Sequence, residues 1–260
     1  MRKFGIKNGF IHILNPHSAF PISNQMPVYQ LSEDLAFPSP HLASKEGLLA
    51  VGGDLMRPRL LLAYSLGIFP WYSEGEPILW WSPDPRLVLY PDELKVSRSL
   101  NKILNKETFN VTVDCAFERV IQECARVRLE NREGTWIVDE MVQAYCNLHE
   151  SGFAHSIEAW AGDCLAGGLY GVSLGKCFFG ESMFTRRSNA SKVAFAALVK
   201  HLKSLDFAMI DCQITTGHLT RFGAREITRA RYLAELDEAL GDPTLKGKWS
   251  LDPREPVSPI

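Results

Sequence analysis

The chain has 260 residues, of which 46% are hydrophobic and 22% are charged, and its formal net charge is -2. This composition is typical of a folded protein with a core of normal size, and it disfavours a largely disordered chain. The balanced charge argues against a module that coats duplex nucleic acid, but it is compatible with a local basic patch that meets one end of an RNA.

Six cysteines are spread along the chain without a C-x-x-C pair, and no histidine pair has zinc-finger spacing. We therefore expect free thiols in a reducing compartment, with no disulfide and no metal. The N-terminal segment is too polar for a signal peptide, and no run approaches the roughly 18 apolar residues that a membrane helix needs. These features predict a cytoplasmic protein.

The first third of the chain is punctuated by proline, glycine and aromatic residues. Residues 1–30 contain three prolines and predict an irregular N-terminal extension. Residues 31–85 predict a small N-terminal domain. One helix fits within it, at Arg57–Leu66, because Pro58 lies near its start and Gly67 follows its end.

A second domain is predicted for residues 86–241. In chain order we expect a strand at 87–90, a helix at 97–105, a strand at 109–113, helices at 116–128 and 139–151, strands at 155–160, 164–174 and 176–182, a helix at 190–205, a strand at 208–213 and a helix at 228–240. This order predicts an α+β fold around a mixed or antiparallel sheet. The proline-rich residues 242–260 predict a loosely held C-terminal tail.

Polar residues end two of the predicted apolar strands. Glu181 ends the strand at 176–182, where a buried carboxylate is costly unless it is paired or hydrogen-bonded. Alternation along the strand at 208–213 places Asp211 and Gln213 on one face, which suits the mouth of a site. The alternatives are a satisfied structural acid at Glu181, and a turn-capping Asp211 with a surface Gln213.

Tryptophans and basic residues offer a second set of candidates. Several tryptophans, among them Trp71 and Trp136, lie beside Pro, Ser or Thr rather than in apolar runs. They are either core residues or a stacking platform for an unpaired base. Arg98, Lys102 and Lys106 recur every four residues and predict one basic helical face. That face is either simply solvated or turned towards phosphates.

Longer tracts make the chain similar to a known family. The sequence resembles the leucyl/phenylalanyl-tRNA–protein transferases, bacterial enzymes that tag proteins for N-end-rule degradation. The matching tracts are EGLLAVGGDL (46–55), GIFPWYS (67–73), ILWWSPDPR (78–86), SRSL (97–100), GTWI (134–137), AHSIE (154–158), GGLYGV (167–172), FFGESMF (178–184), NASK (189–192), IDCQ (210–213) and HL..FGA.EI.R (218–229). They occur in one order over most of the chain, so chance agreement is implausible.

This resemblance implies a small N-terminal domain followed by a GNAT-like, acetyltransferase-related domain with a mixed sheet and flanking helices. It also implies that Leu, Phe or, less well, Met is transferred from aminoacyl-tRNA to proteins that begin with Arg or Lys. The segment before the helix at 190–205 lacks the glycines of a coenzyme A loop, so we expect no cofactor. Nothing resembles a dimer seam, which favours a monomer.

The resemblance further implies roles for individual residues. Glu181, Asp211 and Gln213 are the expected catalytic residues: Gln213 holds the attacking amine, Asp211 orients Gln213 and assists proton removal, and Glu181 binds the amine or the cationic end of the acceptor. Alternatively, the ribose hydroxyl beside the ester relays the proton. The expected binding residues are Trp71 and Trp136 for the terminal adenosine; Leu169, Phe178, Ser182, Met183, Phe195 and Leu202 for the amino-acid side chain; and Arg98, Lys102 and Lys106 for the acceptor stem.

Two other classes stay open on the residues alone. One is an N-acyltransferase that uses coenzyme A, which the missing glycine loop disfavours. The other is an RNA-binding module without catalysis, which the acidic pI of about 6.4 disfavours. Serine hydrolases and P-loop enzymes are disfavoured as well, because the sequence contains no G-x-S-x-G elbow and no Walker loop.

Overall fold

A computed structural model describes residues 13–14, 28–131 and 135–251. Its first sheet has five strands in the order β1-β2-β3-β5-β4. They are β1 (Ile13–Leu14), β2 (Val28–Leu31), β3 (Leu48–Gly52), β4 (Phe69–Pro70) and β5 (Leu79–Trp81), and helix α1 (Arg57–Ser65) connects β3 to β4. Most of the predicted N-terminal extension, residues 1–30, lies outside the described residues.

The second sheet is built from residues after Trp81. Its seven strands are β6 (Arg86–Leu89), β7 (Asn110–Val113), β8 (Ala154–Ala161), β9 (Cys164–Leu174), β10 (Cys177–Thr185), β11 (Met209–Gln213) and β12 (Arg225–Ile227), in the order β12-β6-β11-β10-β9-β8-β7. Strands β10 and β11 run parallel, whereas the other neighbours within the described part of this sheet are antiparallel. The predicted α+β fold with a mixed sheet is therefore confirmed.

Six further helices accompany this sheet: α2 (Arg98–Leu104), α3 (Phe117–Glu130), α4 (Asp139–Glu150), α5 (Ala190–Ser204), α6 (Gly217–Thr220) and α7 (Arg229–Leu240). Ser97 caps α2, since its hydroxyl accepts the backbone N–H of Leu100. Asn189 precedes α5, but its side chain does not cap the helix. The backbone is left-handed there, at φ 69°, and the amide oxygen accepts from Lys192.

Neighbouring residues of β10 face opposite sides of the sheet, as the two-residue repeat of a strand requires. Phe179 belongs to the core that includes Phe117 of α3 and Met141 of α4. Phe178 belongs to the core that includes Phe195 of α5. Strand β10 is thus covered by helices on both faces, which explains the consecutive apolar residues 177–179 at its start.

The C-terminal segment differs from its prediction. Residues 242–251 were predicted to be loose, yet Trp249 is buried and its backbone N–H donates to Asp114 at 2.8 Å. The proline content misled the prediction, because an irregular segment can still be held by one large apolar side chain. Residues 252–260 lie outside the described part. Within it, no helix combines the length and the apolar character needed to cross a membrane.

Candidate active site

A cavity of about 620 Å³ opens between β10, β11 and the start of α5. Its lining includes an apolar wall, an aromatic pair, and a polar group made of one carboxylate and one amide. Nine of the predicted site residues contribute: Trp71, Trp136, Leu169, Phe178, Glu181, Ser182, Met183, Phe195 and Gln213. Residues that are far apart in sequence are therefore brought to one place.

The apolar wall comes from β9, β10 and the first turns of α5. Phe178 and Phe195 are both buried and both line the cavity. Leu202, which was predicted to belong to this wall, does not line it. It is fully buried one helical turn beyond Leu198, the last lining residue of α5, and it belongs to the same core as Phe178 and Phe195.

Two half-buried tryptophans stand at another part of the cavity. The rings of Trp71 and Trp136 meet edge to face, with centroids 5.8 Å apart. The guanidinium of Arg128 lies 3.9 Å from the centroid of Trp136. An aromatic pair with one cationic neighbour can stack on a planar base and contact its phosphate.

Glu181 is the centre of a buried hydrogen-bond network. Its Oε1 accepts from Tyr64 at 2.7 Å and from Nε2 of Gln213 at 2.9 Å, and its Oε2 accepts from Tyr145 at 3.1 Å. The two tyrosine hydroxyl oxygens also contact each other. The carboxylate is 9% exposed and lines the cavity, so a ligand can reach it.

Burial raises the pKa of Glu181 to about 7, against the opposing effect of the hydrogen bonds from Tyr64, Tyr145 and Gln213. Burial likewise raises the pKa of both tyrosines, which therefore stay neutral donors. A carboxyl group that titrates near neutral pH can both accept and return a proton at the same pH. The network is thus chemically suited to proton transfer.

Gln213 is held in place by its backbone. Strand β11 has a bulge between Asp211 and Gln213, and Gln213 adopts a left-handed φ of 62°. Its N–H donates to Oδ1 of Asp211 at 2.9 Å. Because its Nε2 donates to Glu181, the amide presents its oxygen as the remaining acceptor.

Asp211 lies deeper than predicted. It was expected beside Gln213 at the mouth of the site, but it is fully buried and does not line the cavity. Arg86 pairs with both of its oxygens, at 2.8 and 2.6 Å, and Tyr232 donates to Oδ2 at 2.9 Å. The bulge breaks the alternation on which the expectation rested. The predicted orienting contact to Gln213 is present, through the backbone.

Arg86 is the positive partner in this pair. Burial lowers the pKa of Arg86, but the adjacent Asp211 more than reverses that effect, so the guanidinium stays charged. The rings of Phe69 and Tyr232 lie 4.9 and 4.5 Å from its central carbon. The guanidinium engages both oxygens of Asp211, which makes that carboxylate a support rather than a free base.

The basic helix lies elsewhere on the surface. Arg98, Lys102 and Lys106 are exposed, and none of them lines the cavity. Helix α2 ends at Leu104, so Lys106 lies beyond it and does not share the helical face of the other two. Asn105 closes the helix, and the predicted stripe is therefore shorter by one residue.

Sequence reasoning missed Tyr64, Tyr145, Arg86 and Tyr232. Tyr64 and Tyr145 approach Glu181 from α1 and α4, and no local sequence pattern links positions so far apart. Arg86 did carry a signal, because a charged residue that opens an apolar strand needs a buried partner. That partner, Asp211, lies 125 residues away.

Comparison with known proteins identifies the class of enzyme to which the chain belongs. The family model described as leucyl/phenylalanyl-tRNA protein transferase matches residues 88–237, and the model of its N-terminal domain matches residues 53–84. The protein is therefore an enzyme of the aminoacyltransferase class. The chain belongs to the leucyl/phenylalanyl-tRNA protein transferase family, since the first model covers more than half of its length.

Individual relatives agree with this assignment. A leucyl/phenylalanyl-tRNA–protein transferase of Desulfatibacillum aliphaticivorans is 60% identical over 227 residues, which cover 87% of this chain and 97% of the relative. One from Anaeromyxobacter dehalogenans strain 2CP-C is 57% identical over 233 residues, covering 90% and 100%. The solved structure of L-PGS from Bacillus licheniformis aligns with 75% of this chain and 73% of its own at a TM-score of 0.38 and 8% identity, which is too low to define the fold.

Proposed function

We propose that this enzyme transfers Leu, Phe and, less well, Met from aminoacyl-tRNA to the N-terminal Arg or Lys of acceptor proteins, as a cytoplasmic monomer. The new N-terminal residue creates a degradation signal for the N-end rule. The observation that carries the proposal is the cavity, where an apolar wall adjoins both an aromatic pair and the Glu181–Gln213 group. The names of the relatives support the donor and the acceptor class.

The apolar wall suits the side chain of the transferred amino acid. Leu169, Phe178, Met183 and Phe195 line the apolar part of the cavity, with Ser182 beside them. A charged side chain would be desolvated there without compensation, and a β-branched one would collide near the entrance. This accounts for a donor set of unbranched-at-Cβ apolar residues.

We assign the terminal adenosine of the tRNA to Trp71 and Trp136. Replacing either with Ala is expected to raise KM for the aminoacyl-tRNA by about 5- to 150-fold, because stacking on a base is worth about 1–3 kcal/mol. We expect kcat at a saturating concentration of aminoacyl-tRNA to be nearly unchanged, because stacking stabilises the ground state and the transition state equally. Steady-state kinetics with a fixed acceptor peptide measure both constants, and an unchanged KM in both variants contradicts the assignment.

The chemistry needs a neutral amine at the ester carbonyl. The α-amine of the acceptor has an unperturbed pKa of about 8, so only about a tenth is neutral at pH 7. Its nitrogen attacks the carbonyl carbon, a C–N bond forms, and the C–O bond to the ribose breaks. Glu181 takes the proton of the amine and returns it to the departing ribose oxygen, while Oε1 of Gln213 holds the amine. If the neighbouring ribose hydroxyl relays the proton instead, these residues only position the substrates.

Asp211 acts indirectly in this scheme. We assign it to holding the backbone of Gln213, with Arg86 fixing the carboxylate. Its burial and its ion pair argue against the direct role in proton removal that the sequence suggested. Glu181, which lines the cavity and has a pKa of about 7, is the better placed base.

We assign Arg98, Lys102 and Lys106 to the phosphates of the acceptor stem. Each phosphate contact that is removed is expected to lower the slope of log affinity against log salt by about 1. We therefore expect Lys102→Ala to weaken tRNA binding with a flatter salt dependence, while Lys203→Ala, an exposed lysine already paired with Asp92, changes neither. Filter binding at several salt concentrations measures the slope, and equal slopes for Lys102→Ala and wild type contradict this assignment.

One assay separates the proposal from both rival classes. Protein, radiolabelled Leu-tRNA and a peptide that begins with Arg are mixed without coenzyme A. Labelled peptide is the expected product. Bound but unreacted tRNA supports an RNA-binding module, and a reaction that starts only when an acyl-coenzyme A is added supports an N-acyltransferase.

A further inference from the structure

The C-terminal segment is fastened to the second sheet at three points. Oγ1 of Thr244 accepts the N–H of Gly175 at 2.9 Å, and the N–H of Gly247 donates to the carbonyl of Gly152 at 3.2 Å. The third point is Trp249, whose N–H donates to the buried Asp114. The segment is thereby held at a fixed position along the sheet.

The indole of Trp249 is packed among aromatic rings. It stacks on His155 with centroids 3.6 Å apart and planes within 8° of parallel. His155 is itself fixed by Asp114, which lies 2.8 Å from its Nδ1. The same carboxylate therefore holds both the backbone of Trp249 and the ring beneath it, so the position of the indole is determined from two sides.

Phe178 connects the indole to the cavity. Its ring centroid lies 6.1 Å from that of Trp249, and the residue is both fully buried and part of the cavity wall. Gly171 confines the ring further, because a Cβ there would lie 2.6 Å from ring atoms of Phe178. The ring thus has the cavity to move towards, with Trp249 and the β9 backbone limiting its retreat.

We propose that Trp249 is a positioning residue for donor selection: it supports Phe178 from outside the cavity and so determines the depth of the slot for the amino-acid side chain. This rests on the proposed function of the cavity. Packed interiors relax only partly when a large side chain is removed, so space created behind a wall residue is shared with the cavity it lines. A tail that touches no substrate thereby affects which substrate fits.

The test is the ratio of kcat/KM for Phe-tRNA to kcat/KM for Leu-tRNA. Trp249→Leu is expected to raise this ratio about threefold or more, because Phe178 can withdraw and admit the larger side chain. The effect is smaller than the roughly 10- to 200-fold that one methylene is worth in direct contact with a substrate. Trp249→Phe, which keeps a ring on His155, is expected to shift the ratio in the same direction by less.

Two controls separate this role from simple stabilisation. Trp80→Leu removes another buried indole that does not line the cavity, and it is expected to leave the ratio at the wild-type value. In a Phe178→Leu background, adding Trp249→Leu is expected to leave the ratio unchanged, because the ring that transmits the effect is gone.

The possible outcomes decide between the claims. If wild-type protein transfers neither amino acid to the peptide, the proposed function fails, whatever Trp249 does. If wild type is active and Trp249→Leu keeps the wild-type ratio, the inference is overturned. Should Trp249→Leu fail to fold, Trp249→Phe decides: an unchanged ratio overturns the inference and an increased one supports it.

Discussion

Arg86→Met is expected to lower the free energy of unfolding by about 3–5 kcal/mol, because it leaves the Asp211 carboxylate buried without its partner. Arg86 and Asp211 are 1% and 0% exposed, so water cannot replace the lost contact. Transfer activity is expected to fall as well, since Asp211 positions Gln213. Urea unfolding monitored by tryptophan fluorescence measures the change in stability.

The double variant Arg86→Met/Asp211→Leu is the informative control. Replacing a buried ion pair with apolar side chains is often neutral for stability, so most of the loss is expected to be recovered. Activity is not expected to return, because the N–H of Gln213 has lost its acceptor. Full activity in the double variant would contradict the role of Asp211 in positioning Gln213. Wild-type stability of Arg86→Met would contradict the expected cost of burying an unpaired carboxylate.

Glu181→Gln is expected to lower kcat by about 10²- to 10⁴-fold, which is the usual contribution of a positioned base. The variant is nevertheless expected to be more stable than wild type at pH 8. The pKa of Glu181 rises from 4.5 to about 7 on folding, so the protonated carboxyl stabilises the folded state fully below pH 4.5. This stabilisation is lost as the pH rises from 4.5 through about 7. The glutamine side chain resembles the neutral carboxyl group at every pH, so the Glu181→Gln variant does not lose this stability at high pH.

The size of this stability difference follows from the shift in the pKa of Glu181. A change of one pKa unit is worth about 1.4 kcal/mol, so roughly 2–3 kcal/mol is expected at pH 8 after allowance for one weakened hydrogen bond, and almost none at pH 4.5. Unfolding at both pH values measures it. A variant that is inactive and also less stable at pH 8 would indicate a structural role for Glu181 instead.

The pH profile gives an independent check on the same residue. In wild type, kcat is expected to fall as pH drops through about 7, because Glu181 becomes protonated. Tyr145→Phe removes a donor that stabilises the carboxylate, so the fall should move to higher pH. Tyr72→Phe, which changes a tyrosine outside the network, should leave the profile in place. No movement in Tyr145→Phe would contradict the role of the network.

The helices and strands of the second sheet were largely predictable, because each is recognisable from its own periodicity and end signals. The meander β8-β9-β10 followed from turn residues such as Gly162 and Gly175, both at positive φ. Helix α5 followed from its apolar face. Glu181 stood out for the same kind of reason, since an acid in an apolar strand is locally anomalous.

What could not be predicted depends on contacts across the chain. The raised pKa of Glu181 arises from burial under α1 and α4, and the two tyrosines that bond it lie 117 and 36 residues away. The bulge that turns Asp211 inward is a property of the pairing of β11 with β6, which no alternation rule contains. The burial of Trp249 likewise depends on Asp114, a residue of a distant turn.

The most direct test of the central claim is a crystal structure with leucyl-adenosine in which an amide replaces the ester. The account predicts the adenine stacked against the Trp71–Trp136 pair, the leucyl side chain against Phe178, and the amide carbonyl within reach of Gln213 and Glu181. A ligand bound outside this cavity, or one seated with its leucyl group away from Phe178, would contradict it.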